Sequence, residues 1–323
     1  MPSGADLFEL FFMGPGLLCL LVLVLFAVLA LLPRSARRRH TRRVERATRL
    51  IESGRTTDGL ALLTREAART RRRRRTPAAA TSSLDLLSHH ASAALTAGHP
   101  DAALAAATEA ANLSARLHPN GLRHAKACYA LGRTLAKLGR DDAALAHLQQ
   151  AVAIGDNTDH DDALTSRALF AANTALALQR LGQVTAALDM AARAVHLASA
   201  APEEPIPHLR TAGLGWAHTA LSLAQTDGGL DGRPAAHEAL EAFRLVDGEE
   251  FLAGGEGLAL ACYAAAYAAH RQGDGQALAS AREAVERFSG SGDVLHERRR
   301  ADAARLLAEI TSEYPVASGD DAR

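Results

Sequence analysis

Acidic residues and histidines are where this chain could hold a metal or move a proton, and their spacing suits neither task. Asp156, Asp159, Asp161 and Asp162 surround His160 and invite a calcium-loop interpretation. Such a loop takes ligands at alternate positions around a turn glycine, whereas the position after Asp159 and Asp161 is Ala163 and the glycine is missing. The stretch therefore predicts a solvated loop. His89 and His90 are adjacent, which sends them to different faces of a helix and argues against a shared metal. There is no His-Glu-x-x-His, no phosphate loop ending in Gly-Lys-Ser or Gly-Lys-Thr, and no Gly-x-Ser-x-Gly. Cys19, Cys128 and Cys262 lie far apart with no Cys-x-x-Cys pair, so neither a disulfide framework nor an oxidising compartment is expected. The expectation is a protein that is not an enzyme and has no cofactor and no metal.

Basic and aromatic residues at helical spacing are the better candidates for a binding site. Lys126, Tyr129, Arg133 and Lys137 follow one another at intervals of three or four residues, which places them on one helical stripe. Asn173 and Arg180 hold comparable places before a later turn, and Tyr263, Tyr267, His270 and Arg271 before a third. On one helix face these residues would suit an acidic or carboxylate-bearing segment, with Arg and Lys pairing charge and Tyr giving contact area. The plainer alternative is that they solvate an exposed surface and that Tyr129 packs inward. Asp141 falls in what looks like an exposed turn, where loss of its charge should matter little.

The elements that would carry this stripe come from a repeat. A glycine ends one apolar helical run, a short polar turn follows, and a second run opens near Ala-Leu, as around Gly139, Gly182 and Gly273, with weaker copies at Gly54, Gly98 and Gly228. Those glycines are 44, 41, 43, 46 and 45 residues apart, room for two helices and two connections each. Leu131, Leu135 and Leu138 before the turn, and Leu145, Leu148 and Val152 after it, fall at helical spacing. One hairpin cannot cover its own apolar face, so stacking is required and the array needs a polar cap. The stretch from His296 to Tyr314 suits that role, with Leu306, Leu307 and Ile310 inside and its charges outside. Small residues such as Gly132 and Ala144 mark where helices approach closely. A core filled this way agrees with 48% hydrophobic but only 4% aromatic content.

Ahead of the repeats, residues 10–32 form a 23-residue run without a charge, and at about 1.5 Å per helical residue this is long enough to span a bilayer. No base precedes Arg34, unlike a cleaved signal peptide. Arg34, Arg37, Arg38, Arg39, Arg42 and Arg43 follow at once, which predicts contact with anionic lipid, an N-terminus outside and all later residues in the cytoplasm. Residues 34–75 carry sixteen arginines against four acids, net +12, while the chain beyond them is net −10 and the first 33 residues are −2. The run Arg71–Arg75 lacks interleaved aromatics, which favours lipid or a solvated link over nucleic acid. All but two of the 36 basic residues are Arg, and with the alanine excess this suggests a bacterial source and its plasma membrane.

Leu131-Gly132, the turn Gly139-Arg140-Asp141-Asp142, Ala143-Ala144-Leu145 and Ala151-Val152 resemble the tetratricopeptide repeat, and the long period is similar to that of kinesin light chain. The likeness runs over roughly residues 80–290. It implies an all-α, right-handed superhelical solenoid of antiparallel hairpins whose inner face binds peptides. It also implies that Asn173 stands where kinesin-light-chain-like repeats hold a peptide backbone. The expected organisation is an outer N-terminus over 1–9, a transmembrane helix over 10–32, a basic segment with a degenerate hairpin over 33–79, repeats over 80–290, a capping helix over 291–315 and a disordered tail over 316–323. The expected function is a membrane-tethered adaptor for a protein or peptide, the alternative being a structural component that self-associates through Ala-Leu faces.

Overall fold

The computed structural model describes residues 42–43, 45–47, 49–50, 55–73, 77–96, 99–158, 163–202, 209–247, 254–290 and 294–313. The expected transmembrane helix over 10–32 and Arg34, Arg37, Arg38 and Arg39 lie outside them, as do residues 159–162 and the side chains of His89 and of Arg71–Arg75. The described residues form α-helices and no strand, and no described helix is long and apolar enough to cross a membrane. The helices are α1 (Thr56–Arg73), α2 (Pro77–Thr96), α3 (Pro100–Leu117), α4 (Leu122–Lys137), α5 (Asp141–Asp156), α6 (Leu164–Arg180) and α7 (Val184–Ala200). They continue with α8 (Leu209–Asp227), α9 (Arg233–Leu245), α10 (Gly254–Arg271), α11 (Ala277–Arg287) and α12 (Val294–Glu313).

The chain divides into two compact units at Arg69. In the first, Leu60, Leu63 and Ala67 are buried on one side of α1, and the nearly buried Glu66 is held by Arg43 at 3.0 Å and Arg69 at 3.3 Å. In the second, consecutive helices pair as hairpins, α2 with α3 through α10 with α11. Four of the hairpin turns close with the same pair of hydrogen bonds. Gly139, Gly182, Gly229 and Gly273 sit at φ of 72°, 71°, 73° and 68°, a conformation that glycine adopts without a Cβ penalty. Each glycine N–H donates three residues back, and the next residue's N–H donates five back, as Gly139 to Ala136 and Arg140 to Leu135, both at 2.9 Å. This Schellman closure satisfies carbonyls that the helix end leaves over. The turn expected at Gly228 is centred on Gly229 instead, because Gly229 N–H reaches Thr226 and Leu230 N–H reaches Gln225. Two adjacent glycines hid the register.

The first helices of successive hairpins touch one another, α2 on α4, α4 on α6, α6 on α8 and α8 on α10, and second helices make no comparable contact. The first helices thus form the tighter, inner row. Within the hairpin of α4 and α5 small residues permit a close approach of the two helices: a Cβ on Gly132 would stand 2.7 Å from Leu148 Cγ and 3.1 Å from Ala144 O. Ala144 is fully buried there, so Ala144→Leu should overpack the hairpin and lower stability by about 1–3 kcal/mol in a denaturant melt. An unchanged midpoint would place this contact elsewhere. The largest buried rings lie further along. Phe243 is fully buried, stands edge-on to Trp216 at 5.4 Å between centroids, and is flanked by Gly215 of α8 and Gly257 of α10.

A candidate interaction face on the inner helices

Tyr129 and Asn173 meet between α4 and α6. Asn173 Nδ2 donates to the Tyr129 hydroxyl at 3.1 Å and to Leu169 O at 3.0 Å, so the donor side of its amide is already engaged. The Tyr129 ring packs on Phe170 at 5.0 Å and carries the Arg133 guanidinium 5.9 Å from its centroid. Burial pushes the Tyr129 pKa up against the opposing pull of Arg133.

Glu256 of α10 gathers three cations. Arg133 Nη2 lies 3.5 Å and Lys137 Nζ 3.3 Å from its Oε2, and Arg299 of α12 lies 3.2 Å from its Oε1. Its side chain is only 13% exposed. Burial alone would raise the pKa of this carboxyl, but Lys137, Arg133, Arg299 and His296 together hold it well below the usual carboxylate range.

Asp141 opens α5 and is equally buried. Arg180 Nε of α6 donates to its Oδ1 at 2.8 Å, and Arg298 Nη1 of α12 to its Oδ2 at 3.1 Å. The helix N-terminus also favours a negative charge at this place. The turn expected to be exposed and indifferent is instead an ion-paired junction of three helices. Asp227, the last residue of α8, plays a similar part, accepting from Gln179 at 2.8 Å and from the Tyr267 hydroxyl at 3.0 Å. Tyr263 stacks on Tyr267 with centroids 6.0 Å apart.

The structure thus brings Tyr129, Arg133, Lys137, Asn173 and Arg180 together around Glu256 and Asp141. Lys126 and Arg271 are exposed, and the Tyr263–Tyr267 pair forms a separate group. Of the arginines expected at lipid, Arg42 is exposed and Arg43 pairs with Glu66. Glu256, Asp141, Asp227, Arg298 and Arg299 were not among the candidate residues. No spacing rule could have found them, since their pairings span 39 to 157 residues. The space left beside Glu256 has a volume of ≈ 20 Å³, enough to hold a water.

One further cluster has the residue types of a nucleophilic site. His124 Nδ1 lies 2.9 Å from Ser114 Oγ and 3.7 Å from Cys128 Sγ. Burial lowers the His124 pKa and pushes the Cys128 thiol up to about 11, and Cys262 up to about 12, so neither thiol is a thiolate at neutral pH. Among the described residues no three His, Cys, Asp or Glu groups gather as metal ligands.

No protein-family model matches the chain, and no curated protein does. Solved structures do. A Rap protein complexed with Competence and Sporulation Factor aligns with a TM-score of 0.55 at 15% identity, covering 85% of this chain and 71% of that one. The nearly identical TPR-like repeats of a kinesin light chain from Podosopora anserina align with a TM-score of 0.51 at 22% identity, covering 66% of this chain and 96% of that one. The fold is TPR-like. Both alignments are at low identity, so the likeness is one of architecture. Within that architecture α2, α4, α6, α8 and α10 are the inner row, and Arg133, Lys137, Asn173, Arg180 and Glu256 stand on it.

Proposed function

We propose that the chain is a membrane-tethered scaffold that takes a protein or peptide segment on its concave face. The observation that carries this is the inner row, where paired charges and amphipathic aromatics collect. That the aligned Rap structure holds Competence and Sporulation Factor supports a protein or peptide as the class of partner. The tether is supported by the uncharged run over 10–32 and the arginines that follow it. An acidic segment reaches Arg133, Lys137 and Arg180 only by displacing Glu256 and Asp141, so of the residues singled out in the sequence Lys126 and Arg271, both exposed, are open to first contact. Among the described residues Leu230 and Leu245 are the exposed large apolar side chains.

Two measurements test the proposal. A reporter fused after Arg323 should be active in the cytoplasm, and activity only outside would reverse the topology. The full chain carrying Lys126→Glu and Arg271→Glu should lose at least about tenfold in affinity for a partner captured by the parent, and most of the salt dependence with it. Full affinity in that variant would move the site off the concave face.

A further inference from the structure

Helix α12 is apolar at its end and polar at its start. Its last turns bury Leu306 and Ile310 beside Ala266, Ala269, Ala277 and Ala281, which extends the stack beyond α10 and α11. Its first turns do something different: they return to α4 and α5. Leu295 joins the apolar cluster of Leu131, Leu135, Ala136 and Ala144, while Arg298 pairs with Asp141 and Arg299 with Glu256. The concave face proposed to receive a partner therefore already holds a segment of its own chain.

That segment is held in a way that lets it leave. Asp141 retains Arg180 when Arg298 departs, and Glu256 retains Arg133 and Lys137 when Arg299 departs. Lifting the first turns of α12 thus strands neither buried carboxylate, the event that makes breaking a buried ion pair costly. Arg298 is half-exposed, and Glu297 and Arg300 face solvent, so little beyond Leu295, His296 and Arg299 has to be drawn out. The apolar residues that fix α12 to the stack lie at the other end of the helix.

We propose that residues 294–300 are an internal ligand of the concave face, a strap that a partner displaces. The surface beneath it is matched to a leucine followed at the third and fourth positions by arginines, the pattern of Leu295, Arg298 and Arg299. An acidic segment lifts the strap by offering its own carboxylates to Arg298 and Arg299. The partner half of this statement rests on the concave-face function proposed above; the strap itself does not.

The probe is a fluorescent peptide spanning residues 293–305. The full chain carrying Leu295→Ala, Arg298→Ala and Arg299→Ala, its strap weakened, should bind that peptide at least about tenfold more tightly than the parent, whose site is filled. Adding Asp141→Asn and Glu256→Gln to that variant should abolish the gain. In the unmodified chain, excess peptide should speed hydrogen exchange at residues 298–301 by about tenfold or more and leave residues 305–311 unchanged. This second readout decides the matter if the triple variant folds poorly. Equal peptide affinity for parent and variant, or exchange at 298–301 that ignores the peptide, overturns the strap. Either result is independent of the Lys126 and Arg271 experiment, so the strap and the concave-face function can fail separately.

Discussion

Glu256→Gln should remove about 3–5 kcal/mol of stability at neutral pH, the range for taking one partner out of a buried ion cluster. The amide keeps the shape of the side chain but removes the negative charge that Arg133, Lys137 and Arg299 share. The loss should depend on pH with a definite sign. A carboxyl whose folded pKa is depressed contributes stability that is complete above its unfolded value, about 4.3, and is lost as pH falls toward the folded value. The unmodified chain therefore weakens in acid through this group and the glutamine variant does not. Urea melts of the two proteins should differ most near pH 7, and the gap should narrow by roughly 1–2 kcal/mol by about pH 3. A gap that stays constant over that range would mean that packing, and not charge, makes Glu256 important. Arg299→Ala should cost less than Glu256→Gln, since the carboxylate keeps two cations.

A second large effect is expected at Gly257, with a sign that depends on another residue. Glycine within a helix is ordinarily worse than alanine by about 0.5–1 kcal/mol, and Gly257 lies in the first turn of α10. On α10, however, a Cβ at Gly257 would overlap the Phe243 ring, and the ring cannot retreat. On its other flank a Cβ at Gly215 would already be 2.8 Å away, and Trp216 stands edge-on beside it. Gly257→Ala should therefore destabilise by about 2–3 kcal/mol, and Phe243→Ala by about 3–5 kcal/mol. With the ring gone, the same glycine replacement should stabilise by about 0.5–1 kcal/mol, since only helix propensity is left to act. Four melting curves complete the cycle. Simple additivity of the two changes would disprove the ring-between-glycines account.

What could be read from the sequence was local. The turns at Gly139, Gly182 and Gly273 were legible because a left-handed glycine and its two hydrogen bonds are specified within six residues, and the apolar spacing on either side specifies the helices. Asp227-Gly228-Gly229 was not, since either glycine could take the left-handed place and only the bond to Thr226 decides. Stripe geometry put Arg133 and Lys137 on one side of α4, where both reach Glu256, yet it treated them as cations awaiting a partner. Their acid lies more than a hundred residues downstream, at the start of α10, in a stretch with no charge pattern that points back. Asp141 was misjudged for a related reason. A turn position is exposed in an isolated hairpin, and here α6 and α12 cover it from outside the repeat.

The return of α12 also changes how the molecule should come apart. In an open array of hairpins each unit feels only its neighbours, so unfolding can begin at an end and travel inward in steps. Leu295 and the pair Arg298–Asp141 tie the last helix to the hairpin of α4 and α5, the fourth one back from it, which turns the stretch from α4 to α12 into a closed circuit. A hairpin inside such a circuit cannot melt without loosening the contacts at the seam, and its fate is shared by all the others. When the seam is opened, nearest-neighbour behaviour returns and the terminal helices become free to fray. Occupancy of the concave face and cooperativity of the fold are then two readings of one contact.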